Sequence, residues 1–192
     1  MLALRERQAQ SVREAILAAL IERVERGDAD ELSMDELAAA AGASRRTLYR
    51  YFPSRDALFA AAGDWLHGHL IGAATEIESA DDIAASFRAA SKRLERRPAL
   101  ARSLLDGRIG RHVRSESRRR RATSIRRAVE RAAPGLPSAD LARMSAVLAY
   151  LCSANAWLTM GEESGLSGDD ARTAVSWAIE TLLSDLRTRA AS

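Results

Sequence analysis

Hydrophobic positions recur every three to four residues along most of the chain, which is the period of an α-helix. In the first such segment, Val12, Ile16, Leu20 and Val24 are spaced by four residues, and the helix that they predict ends near Gly27. The helical period continues toward the end of the chain, and no segment predicts a strand. The pattern therefore predicts an all-α protein.

Two short helices follow, and a serine marks the start of each. Ser33 and Glu36 have the spacing of a capping box, and the helix that they begin ends before Gly42. Ser44 caps the next helix, which must stop near Pro53 because the residue before a proline disfavours the helical conformation. The two helices and their glycine-containing turn predict a helix-turn-helix.

A fourth helix, over about residues 54–78, is predicted to connect two domains. Ser54 caps it, and it fades into the acidic link of Asp81 and Asp82. Its apolar side carries Leu58, Ala62, Trp65 and Leu66.

Prolines and glycines divide the rest of the chain into five further helical segments, which makes about nine helices in total. The breaks fall at Pro98, at Gly107 with Gly110, at residues 134–137 and at residues 161–168. Ser138 is predicted to cap the fourth of these segments, and Ser167 with Asp170 the fifth. Their hydrophobic stripes are Leu141, Met144, Leu148 and Leu151 in one helix, and Val175, Ile179, Leu182 and Leu186 in the other.

Composition supports the helical interpretation and narrows the class of protein. Only 5% of the 192 residues are aromatic, which argues against a β-sandwich or barrel. No apolar run approaches the roughly 18 residues that cross a bilayer, and the start of the chain lacks the apolar core of a signal peptide. The single cysteine, Cys152, excludes an internal disulfide framework and a cysteine-rich zinc site. We expect a cytoplasmic protein.

Charge is segregated along the chain. From Arg88 to Arg131 there are 16 Lys and Arg residues against four acids, a net charge of +12. Since the whole chain is +3, the other residues sum to −9. Lys92 is the only lysine, so the basic residues are almost all arginine, either for bidentate recognition or through coding bias.

The second helix of the helix-turn-helix has the side chains of a DNA-reading element. Leu37 and Leu48 are predicted to fill the space between the two helices, with Gly42 in the turn. Four arginines and no acid lie between Ser44 and Arg55. The outward face consists of Arg45, Arg46, Thr47, Tyr49 and Arg50.

Three stretches in the first third of the chain form a combined motif. They are "REAILAAL" in the first helix, "SMDELAAAAGAS" across the second helix and turn, and "RRTLYRYFPSRDALF" from the third helix into the fourth. With this motif, the segment from Arg13 to about Leu66 resembles the TetR family of transcriptional regulators. Two positions depart from the family pattern: Asp28 replaces an aromatic or aliphatic residue, and Arg55 replaces the usual lysine.

Arginine chemistry and the resemblance together suggest roles for the DNA-binding residues. Arg45 and Arg46 are candidates for guanine O6 and N7, since a guanidinium donates two hydrogen bonds. Thr47 is suited to a thymine methyl group or a phosphate, and Arg50 to either a base or a phosphate. By resemblance, Tyr49 and Tyr51 contact phosphates; the alternative is that they pack between helices. The residues expected to fix register on the backbone are Arg55, Ser33 and Ser44.

The resemblance also implies a second domain that binds a small molecule and dimerises. Bulky or polar residues are candidates for the pocket, although a residue of each of these types is more often part of the ordinary core or surface. These candidates are Trp65, His69, Phe87, His112, Tyr150, Asn155 and Trp157.

The run from Arg118 to Arg121 receives three interpretations. Four consecutive helical residues sweep about 300°, so one of them must face inward. Extending the stripe of Ile125 and Val129 back by a turn reaches Arg118 and Arg121, and a buried arginine needs an anion. In the first interpretation, one of these two lines the pocket and binds an acidic ligand, lies in the dimer contact, or forms an ion pair with Glu116 or Asp140. In the second the run is a solvated basic face, and in the third it contacts DNA.

Metal, cofactor and catalytic sites are not predicted. His67 and His69 diverge on a helix, and His112 lies far away in sequence, so no histidine pair has the i, i+4 spacing of a helical metal site. The chain has no glycine-rich phosphate loop and no nucleophile elbow. Cys152 is expected to be an inert buried thiol, with an oxidation sensor as the alternative.

The sequence thus predicts a helix-turn-helix domain over residues 1–53, a connecting helix, and a ligand-binding and dimerisation domain over residues 79–192. The expected function is that of a ligand-released repressor, not an enzyme, which binds a palindromic operator as a homodimer. The two terminal stripes would form the dimer interface, or alternatively bury within one subunit. The alternative functions are an activator, a nonspecific DNA-binding protein, or a helical enzyme or carrier with an interaction module.

Overall fold

The computed structural model describes residues 2–66, 68 and 76–190. Those residues form ten α-helices and one 3-10 turn, with no strand among them, which confirms the all-α prediction. The helices are α1 (Leu2–Arg26), α2 (Met34–Ala40), α3 (Arg45–Tyr51), α4 (Arg55–Leu66), α5 (Asp82–Leu94), α6 (Pro98–Asp106), α7 (Arg108–Ala132), α8 (Ser138–Leu151), α9 (Ala154–Ser164) and α10 (Gly168–Ala190). The 3-10 turn, Ala29–Glu31, lies between α1 and α2.

The chain forms two compact units that interleave in sequence. The first consists of Met1–His67 and Ala99–Ser117, and the second of Gly68–Pro98 and Arg118–Ser192. Helix α7 therefore contributes its first turns to one unit and the rest to the other. The sequence-based division at residues 53 and 79 runs linearly along the chain, whereas the compact units place α6 and the start of α7 with the N-terminal helices.

The first unit is built on α1, against which α2, α3 and α4 pack. The predicted helical stripe is confirmed as core, since Ile16, Leu20 and Val24 are buried. Leu37 of α2 and Leu48 of α3 are also buried, as the helix-turn-helix pattern predicts. Burying each such side chain contributes about 1.5–3 kcal/mol to folding.

The turn between α2 and α3 depends on Gly42. Its φ of 64° lies in the left-handed region, which a residue with a Cβ atom adopts only with strain. The predicted glycine turn is therefore confirmed, and it sets the angle at which α3 leaves α2.

The second unit is built on α10, which packs against α5, α8 and α9. The stripes predicted for the terminal helices are buried within one chain: Leu148, Val175, Ile179 and Leu186 have no exposed surface. Leu141 is also buried, while Met144, Leu151 and Leu182 are partly buried. These residues therefore form the core of this unit.

One helix boundary in the second unit was predicted wrongly. The segment expected to run from residue 138 to about residue 160 breaks after Leu151, and α9 begins at Ala154. The backbone turns at Cys152, and Ser153 caps the new helix by accepting a hydrogen bond from Ala156 N at 3.2 Å. This break raises the number of helices in the C-terminal half from five to six.

Two further boundary predictions also need correction. Pro137, not Ser138, occupies the N-cap position of α8, and no side-chain cap hydrogen bond forms there. Gly110 does not end a helix but lies inside α7, which begins at Arg108. By contrast, the predicted cap of α10 is confirmed, because Ser167 Oγ accepts from Asp170 N at 3.1 Å.

A buried arginine that the sequence analysis did not single out joins α5 to α10. The guanidinium of Arg172 donates to Glu95 Oε2 at 2.5 Å and to Ser91 Oγ at 3.1 Å. It also pairs with Asp169, one turn earlier on α10. The side chain of Arg172 is only 9% exposed, so this network satisfies a charge in the interior of the unit.

Candidate nucleic-acid interface

Local hydrogen bonds fix the start of α2. Ser33 Oγ accepts from Glu36 N at 3.2 Å, and Glu36 Oε2 accepts from Ser33 N at 2.8 Å, which completes the predicted capping box. The hydrogen bond from the Ser33 backbone amide lowers the pKa of Glu36, so this carboxylate stays charged at neutral pH. Ser33 thus has a positioning role in the helix-turn-helix.

A second cap fixes the start of α3. Ser44 Oγ accepts from Thr47 N at 3.1 Å, and the hydroxyl groups of the two residues lie within 2.8 Å of each other. Ser44 is exposed and Thr47 is partly buried. The cap leaves the backbone of the first turn of α3 fixed, which is the end that enters the major groove in a helix-turn-helix complex.

Arg45 and Arg46 stand side by side in that first turn but differ in their contacts. Arg45 Nη1 donates to Asp35 Oδ2 of α2 at 2.8 Å, and its guanidinium lies 5.6 Å from the centre of the Tyr49 ring. Arg46 is exposed and has no hydrogen bond or ion pair within the part of the chain that the structure describes. Arg46 therefore presents a cation that is ready for an external acceptor.

The rest of α3 divides into an inward and an outward side. Leu48 is fully buried, which confirms its predicted place in the core. Tyr49 is 38% exposed, and Tyr51 is partly buried. Arg50 lies over the Tyr51 ring at 4.9 Å and donates to its hydroxyl at 3.2 Å. The outward side of α3 therefore presents three arginines and the edge of a tyrosine.

Arg55, expected on a DNA phosphate, makes contacts within the chain. Its Nη2 donates to the Leu32 carbonyl at 3.0 Å, and its guanidinium lies 5.8 Å from the centre of the Phe59 ring. At the same helix end, Ser54 Oγ accepts from Ala57 N at 3.1 Å, which is the predicted cap. Arg55 thus ties the start of α4 to the residue that precedes the α2 cap.

Helix α4 is in turn held against the start of α7 within the first unit. His112 Nε2 lies 3.3 Å from Asp56 Oδ1, and its ring meets Phe59 edge-on at 5.6 Å. A Cβ atom on Gly63 would lie 2.3 Å from the Val113 carbonyl oxygen, so only glycine permits this close approach. His112, a predicted ligand residue, is exposed on the surface of the first unit.

The other predicted ligand residues differ in their burial. Phe87 is buried in α5, and Trp157 of α9 is buried with its Nε1 donating to the Gly168 carbonyl at 2.9 Å. Tyr150 is 57% exposed, and Asn155 is partly buried. Trp65 is partly buried in the first unit, and His69 lies outside the described residues.

Of the two arginines proposed for an inward position on α7, the structure selects one. Arg118 is exposed, as are Arg119 and Arg120. Arg121 is partly buried, and its Nε is fully buried without a hydrogen-bond partner in the described part of the chain. Sequence geometry required one inward residue in this run, and the packing of the second unit decides which.

Comparison with known proteins supports the helix-turn-helix assignment. Residues 16–62 match the family described as "Bacterial regulatory proteins, tetR family", which confirms the resemblance found in the sequence. No curated protein matches the chain. No helix in the described residues combines the length and apolar character that a membrane span needs.

Two solved structures are similar over nearly the whole chain. A transcriptional regulator from Rhodococcus sp. Rha1 is 22% identical, with a TM-score of 0.60, and the match covers 90% of this chain and 96% of that one. A TetR-family regulator from Streptomyces coelicolor A3 is 20% identical, with a TM-score of 0.59, and the match covers 91% and 96% of the two chains. At these identities the similarity establishes the fold.

Proposed function

We propose that this chain, whose residues 16–62 match the tetR family of bacterial regulatory proteins, is a homodimeric repressor released from a palindromic operator by a small molecule. The observation that carries the proposal is the outward face of α3. There, the first turn is fixed by the Ser44 cap and presents the unpaired guanidinium of Arg46 next to Arg45. This is the arrangement that reads guanine in a major groove.

Arg45 and Arg46 have different parts in this proposal. Arg46 needs no internal contact to break before it donates two hydrogen bonds to guanine O6 and N7. Arg45 must first leave Asp35, but both side chains are more than half exposed, so exchanging that ion pair for a base costs little. Tyr49, under the Arg45 guanidinium, limits where that side chain can move.

The proposed dimer uses the exposed faces of α8 and α10. Since five of the eight residues in the predicted stripes are buried within one chain and the other three are partly buried, the stripes offer little surface to a second copy. Large apolar side chains remain exposed on the same two helices: Val147 is 47%, Tyr150 57% and Trp177 69% exposed. Exposed apolar groups of this size are typical of association surfaces. A two-fold dimer would present two α3 helices to half-sites about one DNA turn apart.

The mechanism is a shift between two populations of the dimer. In one population the two α3 helices match successive major grooves, and in the other they do not. A small molecule that binds the second population more tightly lowers operator affinity by the ratio of its two affinities. An activator would use the same groove contacts, and the sign of the response depends on where the operator lies.

A second candidate function rests on the surface of α7. Eight arginines of this helix are exposed: Arg108, Arg111, Arg118, Arg119, Arg120, Arg126, Arg127 and Arg131. Such a face attracts nucleic acid of any sequence through its phosphates, with strong salt dependence. The chain would then bind DNA without reading it.

Selection of bound sequences from a random DNA pool at near-physiological salt distinguishes the two candidates. We expect the wild-type chain to enrich an inverted repeat. The double variant Arg45→Ala, Arg46→Ala should lose this preference and keep nonspecific binding, whereas Arg126→Ala, Arg127→Ala should enrich the same repeat as wild type. If the wild type enriches no sequence and binds all DNA in a salt-dependent manner, the repressor proposal fails in favour of the second candidate.

The dimer is tested separately by the mass of the chain in solution. We expect a two-chain mass for the wild type from light scattering, and a one-chain mass for Trp177→Glu. The matched control is Glu180→Gln, an exposed position on α10 whose side chain already pairs with Arg88. A Trp177→Glu variant that stays dimeric would exclude this face as the interface.

A further inference from the structure

Arg121 occupies the inner side of α7 in the second unit. One turn later on the same helix, Ile125 is fully buried, followed by Ala128 and Val129. Arg121 continues this buried side, and its Nε has no exposed surface. Arg121 as a whole is only partly buried, so part of the residue is accessible from outside.

No negative charge balances this guanidinium within the described part of the chain. The charged and titratable groups that act on it are Arg118, which is also a cation, and Cys152 at the end of α8. Burial raises the pKa of Cys152 to about 11, so the group is a neutral thiol at pH 7. The thiol lies 3.7 Å from the Ile83 carbonyl and also contacts Ser86.

The guanidinium of Arg121 does not become neutral by losing a proton. Burial and the charge of Arg118 lower the pKa of Arg121, but an arginine side chain remains protonated in proteins. A buried cation is costly unless an anion pairs with it. At Arg172, the carboxylates of Glu95 and Asp169 supply the balancing negative charge. At Arg121, no carboxylate in the described part of the chain does so.

We propose that the second unit binds a small organic monocarboxylate, with the carboxylate paired to Arg121. One guanidinium balances one negative charge, and its parallel N–H groups match the two oxygens of a carboxylate. Apart from the exposed cation Arg118, the group that acts on Arg121 is the neutral thiol of Cys152, and the buried side of α7 that Arg121 continues is aliphatic, so we expect the rest of the ligand to be apolar and uncharged. The inference deepens the proposed function, because it rests on a small-molecule effector and states its chemical class.

The first test needs no ligand and asks whether Arg121 supports the fold. Arg121→Met keeps the length of the side chain and removes the charge. In a buffer without small carboxylates, we expect this variant to melt at the wild-type temperature or up to about 5 °C higher, because an unbalanced buried charge is gone. Arg126→Met, an exposed position on the same helix, should stay near wild type. A large drop in melting temperature for Arg121→Met alone would overturn the proposal in favour of a structural role.

The second test measures binding with paired probes. Acetate, benzoate and octanoate are compared with acetamide, benzamide and octanamide by the shift in melting temperature. We expect benzoate or octanoate to stabilise the wild type and Arg126→Met, their amides to have no effect, and Arg121→Met to lose the response. Arg121→Lys keeps the charge and should recover part of it. If no carboxylate exceeds its amide, or if Arg121→Met responds as the wild type does, the proposal is overturned.

A third measurement separates this inference from the proposed function. Affinity for the selected DNA repeat is measured with and without the stabilising carboxylate. Stabilisation through Arg121 with unchanged DNA affinity supports the carboxylate site and contradicts ligand release. Release by an uncharged compound, equally in wild type and Arg121→Met, supports the repressor and overturns the assignment of Arg121.

Discussion

The second unit contains two arginines that are withdrawn from water but differ in their partners. Arg172 is held by Glu95, Asp169 and Ser91, and joins α5 to α10. Arg121 is near a neutral thiol and another cation. An arginine whose charge is balanced inside the chain stabilises the fold, whereas one left unbalanced lowers stability until an external anion arrives. The difference separates a structural residue from a candidate binding residue.

The first unit repeats this contrast at its surface. Arg45 is paired with Asp35, and its neighbour Arg46 is not paired within the described residues. Here, both side chains are exposed, so the pairing changes stability little and serves mainly to orient a side chain. In the interior the contrast concerns stability, and at the surface it concerns which guanidinium is unpaired and available to an external acceptor.

The largest expected effect comes from breaking the balanced interior pair. Glu95→Ala leaves the buried Arg172 with Ser91 and Asp169 as its partners, and we expect a loss of about 3 kcal/mol in the free energy of unfolding, the upper end of the range for a hydrogen bond to a charged group. Urea unfolding measures this change. Glu180→Ala is the matched control, because the exposed pair Arg88–Glu180 joins the same two helices, and it should cost less than about 1 kcal/mol. Equal costs would mean that burial of Arg172 does not distinguish the two pairs.

The next largest effect is expected at Arg46, the exposed arginine that has no internal acidic partner in the described residues. Arg46→Ala should weaken binding to the selected operator about 10–100-fold, the loss of one bidentate contact with guanine, and relax preference at one base pair in each half-site. Fluorescence anisotropy on the operator and on single-base variants measures both quantities. Arg127→Ala controls for general loss of positive charge. A uniform loss on every sequence would assign Arg46 to a phosphate instead of a base.

A smaller effect is expected at the balanced surface arginine. Asp35→Ala frees Arg45 and removes a negative charge from the face that approaches DNA. Operator affinity should therefore change by less than about threefold, in the direction of tighter binding, because the exposed pair contributes little. The same anisotropy assay measures it, with Glu22→Ala on α1 as the control for loss of an acid. A loss of more than tenfold would show that Asp35 holds Arg45 in its reading position.

The helix-turn-helix was predictable because its signals are local. Its caps and its turn act within three or four residues of their position, so they can be predicted from the sequence. They are the capping box of Ser33 and Glu36, the turn at Gly42 and the cap at Ser44. The contacts of Arg55 with the Leu32 carbonyl were not predictable, since they join residues far apart in the chain. The sequence therefore identifies the candidate interface but not the internal bonds that hold it.

The second unit was less predictable because distant packing decides its main features. Sequence geometry limited the inward arginine of α7 to two positions, but only the three-dimensional packing, which buries the Nε of Arg121 and leaves Arg118 exposed, distinguishes them. The hydrophobic run from α8 into α9 predicts one continuous helix, although Ser153 is a local capping signal for the start of α9. The network of Arg172 depends on Glu95, which is far away in the sequence, so it could not be predicted. The only partner that helix spacing indicates is Asp169, three residues before Arg172.

The smallest effect is expected at Glu36, an acid whose negative charge is stabilised by a hydrogen bond from a backbone amide and not by an arginine. Because Ser33 N–H lowers the pKa of Glu36, the charged carboxylate stabilises the fold above the pKa of an unfolded glutamate, and this contribution is lost as pH falls through the lower folded value. Glu36→Gln should therefore melt slightly below wild type at pH 7, and the gap should close as the pH falls below the lowered pKa of Glu36. Glu22→Gln, at an exposed site on α1, is the control. A gap that stays constant with pH would mean that the cap depends on hydrogen bonding alone, without the charge.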